Sequence, residues 1–181
     1  MTHPTPVADV TMLDGAALAR RWSSEMRQLC AWHAAHLPPT VVDAPPDWDM
    51  RRGVDYVSVA TIVRYAARVR NATYRHRFPD DITIRAQLPS GAPTELDKFL
   101  SGAIEAEWYL YAFVSDDDAR LDAYTFCRCD ALTAHLQGVG RAALEAGMRV
   151  NTDGTALVAV NVNELPAGSF ERYGSLPAPL F

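Results

Sequence analysis

Residues 53–70 read Gly53-Val54-Asp55-Tyr56-Val57-Ser58-Val59-Ala60-Thr61-Ile62-Val63-Arg64-Tyr65-Ala66-Ala67-Arg68-Val69-Arg70. This stretch is rich in β-branched and aromatic residues and enters through a glycine. It predicts two strands, residues 55–60 and 61–70, paired as a hairpin. A third strand is expected at 81–88, with Ile82, Thr83 and Ile84, before the turn signal Pro89-Ser90-Gly91. Outward from this centre, Leu18, Trp22, Met26 and Leu29 recur at helical spacing after Asp14, a candidate N-cap. Pro38-Pro39 stops that helix, and the proline-rich segment 38–50 reads as an extended connection.

Beyond the hairpin, Thr94-Glu95-Leu96-Asp97 is a capping-box-like start to a short helix ending near Gly102. Residues 107–114, with Trp108, Tyr109, Leu110, Tyr111 and Phe113, form the most apolar strand and belong at the centre of a sheet. Residues 121–128 form a strand antiparallel to it. Asp130 caps a helix running to Ala146, and residues 155–162 form a last strand. The order is helix, three strands, helix, two strands, helix, strand. That order predicts an α/β or α+β fold on a single central mixed sheet flanked by helices. Residues 1–13 read as a lead-in, 14–165 as one domain and 166–181 as a surface tail with Pro177 and Pro179.

The 181 residues suffice for one full hydrophobic core, and 22% charged residues is ordinary for a globular chain. No apolar run approaches the ~20 residues that span a bilayer. Residues 1–10 show neither a basic nor an apolar leader region. Three cysteines give no disulfide framework, so the expected compartment is the cytoplasm. Cys127-x-Cys129 and Cys30-x-x-His33 contain zinc-ligand types, with buried structural cysteines as the ordinary reading.

Charge is unevenly placed. Residues 51–85 hold eight arginines (Arg51, Arg52, Arg64, Arg68, Arg70, Arg75, Arg77, Arg85) against Asp55, Asp80 and Asp81, a formal +5 in a chain of net −5. Residues 86–181 hold six basic and thirteen acidic groups, a formal −7. Arg64, Arg68 and Arg70 alternate along one strand and share a face. Arg75-His76-Arg77, expected in a loop, extends the strip. Arginine forks suit phosphate, and aromatic side chains stack bases, so Tyr74 and Phe78 join the five arginines 64, 68, 70, 75 and 77 as a candidate nucleic-acid or polyanion face. The bland alternative is a solvated strand face neutralised by acids of the same chain.

The order of elements around Asp55 resembles the PD-(D/E)XK nuclease superfamily. There an Asp opens one strand of a hairpin, and a Glu or Gln and a Lys, one residue apart, lie on the next. The resemblance covers roughly residues 53–113, with Glu25 standing where some members carry a helix acid. Thr94–Lys98 followed by Trp108–Phe113 is similar to the helix-then-strand segment of some nuclease-like phage and prophage proteins. It implies a restriction-endonuclease-like fold and an Mg²⁺ site, with Asp55 and Asp81 as metal ligands and Asp55, Glu95 and Arg68 as catalytic groups of a phosphodiester hydrolase. The departure lies on the strand itself. One register puts Arg64 and Ala66 at the acid and lysine positions, and the other puts Ala66 and Arg68 there. The pattern therefore implies an anion-binding fold with weak or lost cleavage. The alternative class is a non-enzymatic interaction protein, its acidic C-terminal part pairing with the basic face of a second copy.

Overall fold

A computed structural model describes residues 15–35, 41–59 and 62–174. The expected lead-in, the Asp14 cap, the Pro38-Pro39 stop and the end of the tail lie outside the described residues. The helices are α1 (Gly15–Arg21), α2 (Ser23–Ala35), α3 (Pro46–Arg52), α4 (Ala72–Arg77), α5 (Glu95–Ser101), α6 (Cys129–Val139) and α7 (Arg141–Ala146). The strands are β1 (Val41–Asp43), β2 (Tyr56–Ser58), β3 (Val63–Arg70), β4 (Asp81–Gln87), β5 (Trp108–Val114), β6 (Leu121–Arg128), β7 (Arg149–Val150), β8 (Ala156–Asn161) and β9 (Phe170–Tyr173).

The expected central mixed sheet is present, with six strands in the order β1-β2-β3-β5-β6-β9. The β2–β3 hairpin is antiparallel and β3 runs parallel to β5. β5 sits in the interior of the sheet, paired on its other side with antiparallel β6. The expectation of a single sheet is corrected, because β4 does not join this one. A parallel neighbour requires a long crossover. The chain from β3 to β5 supplies it as α4, β4 and α5, and that path lays β4 over the sheet. There β4 pairs with β8 and β8 with β7, in a separate three-stranded antiparallel sheet.

Two apolar clusters follow. On one face, Leu18 of α1, Trp22 between the helices, and Met26 and Leu29 of α2 pack on Tyr65, Leu110, Ala112 and Phe126. On the other, Ile82, Ile84, Val158 and Val160 of the small sheet, with Leu96, Phe99, Leu132 and Leu136 of α5 and α6, cover Ala66, Tyr109, Tyr111 and Phe113. The helical stripe read from the sequence is therefore the buried one, although α1 and α2 are separate at Trp22.

Four local expectations are corrected. Segment 38–50 holds β1 and α3. Pro46 at the first helical turn presets φ without wasting a needed donor, and Gly53 closes the helix in the left-handed conformation at φ 62°. Arg75-His76-Arg77 lies in α4, not in a loop. The helix after β6 begins at Cys129 with Arg128 at the cap position, so Asp130 falls in its first turn, and Gly140 divides α6 from α7. Residues 170–173, expected in a surface tail, add β9 to the edge of the main sheet. The capping box is as read: Thr94 Oγ1 accepts from Asp97 N, and Asp97 accepts from Thr94 N.

Candidate functional site

Arg64, Arg68 and Arg70 do share a face of β3, but the face lies beneath the crossover layer. Arg64 Nε and Nη2 donate to Glu107 Oε1 at 3.1 and 2.8 Å, and its Nη1 to Glu105 Oε2 at 3.2 Å. Arg68, with a side chain only 11% exposed, pairs with Glu95 of α5. Arg70 donates through Nε to Thr83 Oγ1 at 3.1 Å and lies 5.0 Å over the Tyr74 ring. Arg75 pairs with Asp122, and Arg52 with Glu105 at 3.3 Å. Much of the charge contrast between segments is thus neutralised inside one chain. β3 lies beside β5, and the acidic lead-in to β5 meets the arginines.

Asp55, Arg68 and Glu95 are brought together. Asp55 enters β2, and its Oδ2 accepts from Ala67 N on β3 at 2.7 Å, so it bonds backbone across the hairpin instead of locally. Burial, then the neighbouring Asp49 carboxylate, push its carboxyl up to about 7. Burial would also lift Glu95, but the Arg68 guanidinium and the Arg85 N–H, 2.8 Å from Oε2, hold it below the usual carboxylate range. Glu95 in turn raises Arg68 against the effect of burial. The Tyr109 hydroxyl stands 3.5 Å from Glu95 Oε1.

This arrangement does not suit Mg²⁺. Glu95 is engaged by a guanidinium, which repels a dication. Asp81 opens β4, about 13 Å of strand away from Arg85, the residue that meets Glu95. Glu25 lies on α2, whose apolar residues pack on the opposite face of the sheet from Glu95. Among the described residues no group of three or more His, Cys, Asp or Glu side chains is placed to hold a metal ion. The zinc-type residues are likewise divided: Cys30 packs on one face of the sheet, Cys127 and Cys129 on the other.

A different place collects unpaired positive charge. Between α4 and the small sheet lies a cleft of about 530 Å³, within the size range of ligand sites. The Arg77 and Arg149 guanidinium groups stand 5.2 and 4.3 Å from the centre of the Phe78 ring. Tyr74, Thr83 and Asn151 complete much of the wall. Among the described residues neither arginine forms an ion pair, and no carboxylate lines the cleft. Arg77 and Phe78 were legible as candidates. Arg149 was not, because it arrives through β7–β8–β4 pairing from far along the chain, and no local motif marks it.

No family model, curated protein or solved structure matches the chain. No helix among the described residues is long and apolar enough to cross a membrane.

Proposed function

We propose that the protein binds polyanions, nucleic acid foremost, through the cleft between α4 and the β7–β8 edge. The observation that carries this reading is the cleft itself: two arginines close to one aromatic ring, with no lining carboxylate, in a chain of net charge −5. Guanidinium forks recognise phosphate, and aromatic and cationic groups together favour an unpaired base. Arg64, Arg68 and Arg75 are assigned to the architecture, because each already meets a carboxylate. The nuclease-like part of this reading rests only on the order of elements around Asp55, which stands at the hairpin entry while Glu95 is held in an internal ion pair with Arg68. The interaction-protein reading is weakened, because acids expected to meet a second copy meet arginines of their own chain.

The test is fluorescence anisotropy with a labelled single-stranded oligonucleotide at low salt, on wild type and an Arg77→Ala/Arg149→Ala variant. The expected result is binding that falls at least tenfold in the double variant, with no cleavage on adding Mg²⁺ or Mn²⁺. Absence of binding, or equal binding by the variant, would sink the assignment. Cleavage abolished by Asp55→Ala would replace it with an active nuclease.

A further inference from the structure

A second cavity, of about 330 Å³, opens on the α2 side of the central sheet and has the opposite chemistry. The last turns of α2 bring Trp32 to its wall. β3 contributes Tyr65, β5 contributes Trp108, and edge strand β9 contributes Glu171 and Tyr173. Trp32 meets Tyr173 edge-on, with centroids 4.8 Å apart and planes at 89°. Four aromatic side chains, the His33 imidazole and one carboxylate therefore surround the space, and no lysine or arginine is among its described lining residues.

One of those walls is the His33 imidazole itself. The His33 ring stacks on Phe126 at 3.9 Å and meets the edge of Trp108 at 4.5 Å. Its Nδ1 lies 3.1 Å from the Tyr65 hydroxyl, and its Nε2 lies 3.8 Å from Glu171 Oε2.

The hydrogen-bonding groups around the cavity are largely spoken for. The Tyr65 hydroxyl faces His33, and the Tyr173 hydroxyl donates to Glu171. A primary ammonium or a guanidinium would need several acceptors that such a wall does not offer. An inorganic anion would meet aromatic side chains and a carboxylate. A quaternary ammonium needs no hydrogen bond, is weakly hydrated, and is attracted to the negative faces of aromatic rings. The Glu171 carboxylate, with a side chain 46% exposed, supplies a counter-charge at the rim. From this combination we infer that the cavity is a receptor for a trimethylammonium group, carried either by a small choline-like molecule or by a trimethylated lysine side chain. It is formed from β9, α2 and the starts of β3 and β5, and so is independent of the anion cleft on the other face.

Calorimetric titration tests it on the full-length protein. The probes are choline, its neutral isostere 3,3-dimethylbutan-1-ol, and a trimethyllysine peptide with its unmodified lysine counterpart. At least one trimethylammonium probe should bind at least tenfold more tightly than its control, the isostere for choline or the unmodified peptide for the methylated one. Glu171→Gln, a conservative change at an exposed position, should weaken that binding at least threefold. Choline binding alone identifies a small-molecule receptor, and peptide binding alone a methyl-lysine receptor; either supports the assignment. Failure of both trimethylammonium probes at about 10 mM, or equal affinity for each probe and its control, overturns it. Because the isostere comparison is made on the unaltered protein, a variant that folds poorly does not rescue or condemn the inference.

Discussion

Replacing Glu95 by alanine leaves the Arg68 guanidinium in the interior without its ion-pair partner. Arg68 is 11% exposed and Glu95 25%, and the two are held between β3 and the start of α5. Removing one partner of a buried pair costs about 3–5 kcal/mol, because the remaining charge keeps its desolvation penalty and loses its compensation. Glu95 also accepts from Arg85 N at 2.8 Å, so the change orphans a backbone donor as well. The partial exposure of Glu95 lets water reach the site, which places the expected loss near 3 kcal/mol, a large share of the roughly 5–15 kcal/mol that stabilises a typical domain. Urea unfolding followed by tryptophan fluorescence measures it. With a slope of about 2–3 kcal/mol/M, the midpoint should fall by roughly 1–1.5 M. A paired replacement, Arg68→Met/Glu95→Leu, should recover most of that loss, since an apolar pair of similar volume carries no stranded charge. A Glu95→Ala midpoint within about 0.3 M of wild type would refute the reasoning, as would a double variant that is no better than the single one.

The raised Asp55 carboxyl makes a pH prediction. The folded state binds a proton up to about 7, whereas an unfolded aspartate releases it near 3.8, so between those values the native state holds more protons and stability falls as pH rises. Asp55→Asn should abolish that slope, gaining on the order of 3–4 kcal/mol relative to wild type between pH 4 and pH 8, as read from urea unfolding across that range. Thr94→Ala removes a cap oxygen that serves Asp97 N and should cost about 1 kcal/mol in the same assay. Gly53→Ala combines φ 62° with a Cβ placed 2.6 Å from Ile104 Cδ1, so it should destabilise by about 1–2 kcal/mol, with the thermal midpoint as readout.

What the sequence made legible was whatever one element decides by itself. The Leu18-Trp22-Met26-Leu29 stripe, the apolar run of β5 and the Thr94 capping box each carry their signal within a few turns or a single strand. What it hid depended on which element lies over which. Alternation along β3 places Arg64, Arg68 and Arg70 on one face, yet says nothing about whether water or a second sheet covers that face. The cover comes from β4, whose partner β8 lies more than 70 residues further on. Pro45-Pro46 read as a breaker because the same residue ends one helix and starts another, and only the following Asp47 to Gly53 tells them apart. Asp55, Glu95 and Arg68 could be read from the sequence only as candidates, and the ion pair that occupies Glu95 is a tertiary fact. The cleft between α4 and the small sheet was half visible, in Arg77 and Phe78, and its Arg149 came from β7.

The central claim is that the arginines facing the cleft, and not those on β3, hold the polyanion. The salt dependence of oligonucleotide affinity separates them, since each phosphate contact on a single strand contributes a slope of about −0.7 in log–log form. Arg77→Ala/Arg149→Ala should flatten that slope by about 1.4, whereas Arg64→Ala, which removes a guanidinium already bound to Glu105 and Glu107, should leave it unchanged. A slope that flattens with Arg64→Ala and persists in the cleft variant would contradict the account.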